Sequence, residues 1–202
     1  MSRLAFHVRK MCGDDLPGVA EVEAGVFTDW GRVHRRQQDP LPERTPAELE
    51  YAHSFEPDGN FVAIAEDGAL AGFVFTRVWG DVGWLGTFGV ATQLQGMGIG
   101  RELLGRALTY LRSRAKTIGL ETMPESGSNI ALYTAAGFRL APPTLLMELA
   151  LIAQADRYRE GGDDSIVWSA LGRTAQRRAL REMAAITGDH LPGLDLRREV
   201  EE

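Results

Sequence analysis

Three glycines at alternate positions, Gly96, Gly98 and Gly100, stand between an apolar run ending at Val90 and a helix-periodic stretch opening at Ile99. With no side chains in the way, successive backbone N–H groups can converge on one anion there, and a helix N-terminus adds partial positive charge. The segment Gln95-Gly96-Met97-Gly98-Ile99-Gly100-Arg101 is therefore a candidate phosphate loop. It does not follow either of two familiar patterns. A Walker loop ends in Gly-Lys-Ser/Thr, whereas Gly100 is followed by Arg101 and Glu102. A dinucleotide fingerprint needs Gly-x-Gly-x-x-Gly after the first strand, and this spacing is too short and too late in the chain. A tight turn without a ligand remains open on these residues alone.

The surrounding pattern predicts a mixed α/β fold. Residues 5–9 read as a first strand, with Phe6 and Val8 on one side. Asp14-Asp15-Leu16-Pro17 opens a helix that carries Val19, Ala20 and Ala24. The pattern dissolves over residues 27–60, where Pro40, Pro42 and Pro46 interrupt the chain and Thr45-Pro46-Ala47-Glu48 starts a second helix. Residues 61–65 and 70–78 are strands joined through Asp67-Gly68, a hairpin signal. Residues 81–90 form a further strand whose Gly83, Gly86 and Gly89 suggest a bulge or close approach by another backbone. An amphipathic helix over 99–116 turns Leu103, Leu104, Leu108 and Leu111 inward. A strand at 120–123, a helix at 129–136 stopped by Gly137, and closing strands at 138–140 and 144–151 complete the series. Strands and helices mix without strict alternation, so a twisted mixed sheet flanked by helices is expected.

Charge and composition exclude several function classes. A net charge of -6 over 202 residues disfavours a nucleic-acid or anionic-membrane partner. The arginine pairs Arg35-Arg36, Arg177-Arg178 and Arg197-Arg198 have acidic neighbours and read as solvated faces. Cys12 is the only cysteine, so neither an internal disulfide nor a thiolate metal cluster can form. His7, His34, His53 and His190 lack helical ligand spacing, and no metal is expected. There is no signal-peptide-like start and no run of about 18 apolar residues, so a cytoplasmic location is expected.

A second constellation gives the glycine loop its meaning. Asn129 and Tyr133 lie four residues apart on one predicted helix face, and Gly137-Phe138 follows at its end. On a parallel crossover, Asn129 lies at the same sheet end as the glycines. In this order and spacing, the two motifs resemble the GNAT superfamily of N-acetyltransferases, whose Gln/Arg-x-x-Gly-x-Gly/Ala loop is followed by Asn, then Tyr, then Gly-Phe. The loop match is Gln95 to Gly100, and the later match is Asn129, Ala131, Tyr133, Gly137 and Phe138. The resemblance covers roughly residues 3–151, and Phe88-Gly89-Val90 is similar to the end of that family's splayed strand.

The resemblance implies roles, residue by residue. Backbone groups of Gly96, Met97, Gly98, Ile99, Gly100 and Arg101, with Gln95, would hold the pyrophosphate of acetyl-CoA. Phe88 and Val90 would pair with the pantetheine arm as if with an added strand, and Asn129 would hydrogen-bond the same arm. Tyr133 would protonate the departing thiolate as general acid, and a strand N–H such as that of Phe88 would polarise the thioester carbonyl. The acceptor would be the amine of a small molecule or peptide. Relatives often use a Glu or an ordered water as base. Here no carboxylate stands within residues 82–90, and Asp81 and Glu121, the nearest, read as solvated strand residues. Phe27, Asp29, Trp30, Trp79 and Trp84 are candidates for an acceptor wall or for core packing. A CoA-binding regulatory module without catalysis, or an acyltransferase with another donor or acceptor, stays open.

Residues 152–202 lie outside this domain pattern. Arg157 to Asp163 is a polar, glycine-containing hinge, 165–171 is a short apolar stretch, and 174–186 is helical, with Ala179, Leu180, Met183 and Ile186 on one face and Gly188 ending it. The segment is either an appendage that docks on the domain or on a second copy, giving a homodimer, or the remnant of a second, degenerate domain.

Overall fold

Alternation of apolar side chains along β2 (Phe61–Ala65) and β3 (Leu70–Trp79) gives the sheet two apolar faces. The structure is a computed structural model and describes residues 5–34, 39–141 and 168–201. Among them one sheet runs in the order β1-β2-β3-β4-β5, with β1 at Phe6–Lys10, β4 at Val82–Val90 and β5 at Thr117–Leu120. β1 to β4 pair antiparallel, and β4 pairs β5 in parallel. Val62, Phe73 and Phe75 pack with Leu16, Val19 and Ala20 of α1 (Leu16–His34) and with Leu49 and Ala52 of α2 (Pro46–Ser54). Ala63, Ala65, Val74 and Leu85 pack on the other face, against Ile99, Leu103, Leu104, Ala107, Leu108 and Leu111 of α3 (Ile99–Arg112). The fully buried Asn60 fastens the first face, its Oδ1 accepting from Thr76 N at 2.8 Å while its carbonyl accepts from Met11 N at 2.9 Å.

Several boundaries differ from those read in the sequence, each for a local reason. α1 runs to His34, ten residues past Ala24, because its later inward positions are Thr28 and Gly31. The helix continues where the apolar stripe stops. Thr45 caps α2 as expected, its Oγ1 accepting from Glu48 N while Glu48 accepts from Thr45 N. α3 ends at Arg112, and the N–H groups of Lys116 and Thr117 both bond to Asp81 O, so β5 starts at Thr117 rather than at 120. α4 (Gly127–Ala135) begins two residues before Asn129, with Ser126 at its N-cap. Residues 138–140 form no strand, since the Phe138 N–H and ring are both taken up by the end of α4. Residues 144–151, the hinge at 157–163 and Arg35-Arg36 lie outside the described residues.

The last described segment returns to the β3–β4 turn. α5 (Arg173–His190) continues through Gly188, and Ile186 is exposed while Leu180 is buried. Leu194 bridges to Gly80, and Asp81 N donates to Gly193 O at 2.8 Å. In the short α6 (Arg197–Glu201), Glu199 accepts from Trp79 Nε1 at 2.8 Å, and Arg198 reaches Glu56 at 3.4 Å.

Leu103, with no solvent exposure, lies in the middle of the α3 face. Leu103→Ala is expected to lower unfolding free energy by about 2–5 kcal/mol. Val33→Ala, at a 75% exposed site, should change it by less than about 0.5 kcal/mol. Urea unfolding of the two variants checks the contrast.

Candidate functional site

β4 has a different partner history on its two edges. Along β3 it pairs from Val82 to Val90, with a slip between Val74 and Thr76. Gly86 and Thr87 together face Phe75, which is a bulge, and a Cβ at Gly86 would lie 3.3 Å from the Phe75 carbonyl. The glycine pattern predicted this irregularity. On the other edge, β5 pairs only from Val82 to Leu85. Ala91 N donates to Ala71 O at 2.9 Å, so strand alternation turns the N–H and C=O of Phe88 and Val90 away from β3, into the gap beyond Leu85. Gln95 Nε2 already donates to Val90 O across that gap at 3.0 Å.

The glycine loop opens α3 beside this edge. Gly96 and Gly98 take φ of 77° and 94°, in the left-handed region, with open space around both. No side chain caps α3. Among the described residues, no group accepts a hydrogen bond from the backbone N–H of Gly96, Met97, Gly98, Ile99, Gly100 or Arg101. Ile99 anchors the loop, with its side chain buried in the core, while Met97 is exposed. The result is a row of free donors at the positive end of a helix.

Tyr133 is held by the end of its own helix. Gly137, at φ 98°, lets Gly137 N bond to Thr134 O at 3.0 Å and Phe138 N to Tyr133 O at 3.1 Å. This is a Schellman turn, and its apolar contact is the Phe138 ring standing edge-on to Tyr133 at 6.1 Å. The Gly-Phe pair thus fixes the tyrosine four and five residues before it. Tyr133 is buried, its hydroxyl has no hydrogen-bond partner among the described residues, and burial pushes its phenol up to about 12.

These parts meet at one junction. The Phe88 ring lies 6.4 Å from Tyr133, and a Cβ on Gly100 would be 3.3 Å from Phe88 and 3.9 Å from Leu132 of α4. β4, the start of α3 and α4 therefore touch through Phe88, Gly100 and Leu132. Asn129, half-buried, sits in the first turn of α4 but is not its cap. Arg101 is exposed.

The carboxylates suggested by the sequence lie elsewhere. Asp81 is ion-paired to Lys116 at 2.6 Å, at the end of β4 away from Phe88, and Glu121 is exposed just past β5. The proposed aromatic wall divides. Trp79 and Trp84 lie 6.1 Å apart, with Trp79 bound to Glu199 and Trp84 against Gly119, whereas Trp30 stacks on His34 and Asp29 accepts from Thr92 Oγ1. The carboxylate near the bulge is Glu23 of α1, which is 9% exposed. It accepts from Arg44 Nε at 2.7 Å, and the Thr87 side chain of β4 lies beside it. Burial raises its carboxyl, against the opposing pull of Arg44 and Thr87. No sequence signal marked it, because a glutamate on an amphipathic helix reads as solvated.

Residues 27–138 match the Acetyltransferase (GNAT) family. With more than half of its length matched, the chain belongs to that family, whose members use acetyl-CoA. The mycothiol acetyltransferase of Stackebrandtia nassauensis is 32% identical over 132 residues, 62% of this chain and 42% of that protein. The mycothiol acetyltransferase of Thermobifida fusca is 33% identical over 129 residues, 55% and 40% of the two chains. The chain thus spans about two fifths of the length of these relatives. The same fold is found in the ribosomal-protein-S18-alanine N-acetyltransferase of Escherichia coli, at 24% identity and TM-score 0.52 over 68% of this chain and 79% of that one. It is found again in PH1933 of Pyrococcus horikoshii OT3, at 23% identity and TM-score 0.56 over 69% and 92%. Among the described residues, no helix is long and apolar enough to cross a membrane, and no group of three or more His, Cys, Asp or Glu could hold a metal ion.

Gly137→Ala forces an alanine into the left-handed region and is expected to cost about 1–2 kcal/mol. Thermal unfolding measures the loss. The near-ultraviolet dichroism of the Tyr133–Phe138 contact should weaken with it.

Proposed function

We propose that this chain transfers an acetyl group from acetyl-CoA to the amine of a small molecule or peptide by direct attack. The observation that carries the reading is the row of unpartnered N–H groups from Gly96 to Arg101, set beside the free edge of Phe88 and Val90 and joined to Tyr133 through Phe88 and Gly100. The features fit coenzyme A in chemistry and in order. A pyrophosphate is received by N–H groups at a helix start, with exposed Arg101 adding charge. An amide-bearing arm pairs with a strand edge, taking over the Val90 carbonyl that Gln95 now holds, and Asn129 offers its side-chain amide to the same arm.

Tyr133 acts as a proton donor. A phenol pushed up to about 12 stays protonated at neutral pH. The burial that raises it also disfavours a bare thiolate beside it, so both proton affinities rise together. The N–H of Phe88, turned into the gap, is the candidate to stabilise charge on the thioester oxygen. The chain's match to relatives named for mycothiol, over part of their length, supports acetyl transfer more than it supports that acceptor.

The test is thiol release from acetyl-CoA with a panel of an aminosugar, a polyamine, an amino-acid amide and a peptide with a free N-terminus. Release with at least one amine is expected, and binding of acetyl-CoA without release would replace the transferase reading by a regulatory one. Tyr133→Phe should keep acetyl-CoA affinity within about twofold and lower turnover about tenfold or more. Unchanged turnover from about pH 6 to pH 9 removes the acid role of Tyr133.

A further inference from the structure

Direct attack on a thioester needs a proton donor on the leaving-group side and a proton acceptor on the nucleophile side. Two neighbouring residues of β4 define those sides. The ring of Phe88 lies against Tyr133 on the face covered by α3 and α4. The side chain of Thr87, pointing the opposite way, lies beside Glu23 of α1 and lowers its carboxyl. Both lie beyond Leu85, where β4 no longer pairs with β5.

Glu23 is placed to meet a ligand. It lines a cavity of about 230 Å³ with Ala24, Phe27, Leu41, Pro42 and Arg44. Arg44 holds the carboxylate through Nε, its guanidinium lies 5.2 Å from the centre of the Phe75 ring, and its Nη2 is buried with no partner among the described residues. Among the described residues, the ionic group facing Glu23 is Arg44, with the hydroxyl of Thr87 from β4, and the rest of the lining is apolar.

We infer that Glu23 takes the proton from the acceptor's ammonium, so that the amine attacks from the α1 face while Tyr133 serves the thiolate from the other. This rests on the transferase reading. One proton passes from the ammonium to Glu23. The nitrogen lone pair forms the C–N bond, the C–S bond breaks with its electron pair on sulfur, and sulfur takes the Tyr133 proton. The second proton on nitrogen leaves through solvent and restores the phenol, and Glu23 returns its own to solvent. A carboxyl raised by burial is better matched to this task than an exposed one. Burial favours its neutral form, and a glutamine oxygen still accepts from Arg44 Nε, so Glu23→Gln should fold.

The experiment compares the full chain with Glu23→Gln and Thr87→Val, using the best amine of the panel above. Acetyl-CoA affinity is measured by calorimetry, kcat/KM as a function of pH, and the Glu23 carboxyl by carbon-detected NMR titration. Glu23→Gln should bind acetyl-CoA within about twofold of the parent, lose about 100-fold or more in kcat/KM, and lose the acid limb of the profile. Thr87→Val removes the hydroxyl that lowers the Glu23 carboxyl, so the acid limb and the NMR titration should move together to higher pH. A limb that stays in place while the NMR titration moves overturns the assignment, as does Glu23→Gln within about threefold of the parent. Should Glu23→Gln not fold, the Thr87→Val pair of titrations decides alone. Failure of the transferase reading looks different, since the parent then binds acetyl-CoA and releases no thiol with any amine.

Discussion

Everything in this molecule depends on one strand losing one neighbour. β4 is bonded to β3 along its length but to β5 only as far as Leu85. A half-paired strand inside a sheet leaves backbone groups that need partners, and its cost is accepted only where something else supplies them. Here a bulge at Gly86 and Thr87 stands where the partner leaves, and α3 and α4 both pack on one face beside it. The glycine loop, the tyrosine and the buried glutamate are all arranged around that gap.

The parts of the fold set by side-chain periodicity were legible in the sequence. β2 and its hairpin, the inward leucines of α3 and the box capping α2 all follow from residue types at fixed spacing. Misreadings arose where the periodicity carried no hydrophobicity. α1 continues over Thr28 and Gly31, which hide the helical face, and β5 begins early because Asp81 O gathers two N–H groups in the turn before it. Phe138 reads as a strand residue by propensity, but its ring belongs to Tyr133.

For the site, sequence spacing brought the glycine loop, Asn129 and Tyr133 together, and the structure adds why Gly137-Phe138 travels with that tyrosine: the pair forms the turn that holds it. Glu23 was illegible for a physical reason. Its burial comes from Arg44, 21 residues on, and from Thr87 in the bulge, neither of which marks the helix it sits on. A carboxylate whose neighbours are distant in sequence has no local signature.

The contacts of α6 with the β3–β4 turn have a consequence for how the chain is made. Trp79 finds its hydrogen-bond acceptor 120 residues later, in Glu199, and Gly80 pairs with Leu194. During synthesis from the N-terminus, the sheet and α3 can assemble long before those residues exist. The hairpin end must then wait with its indole and backbone groups in water until Gly193, Leu194 and Glu199 emerge and close over it. Contacts of such long sequence separation form slowly. The ordering of this hairpin end is thus a separate event, later than the assembly of the sheet with α3, at the end of β4 opposite the glycine loop.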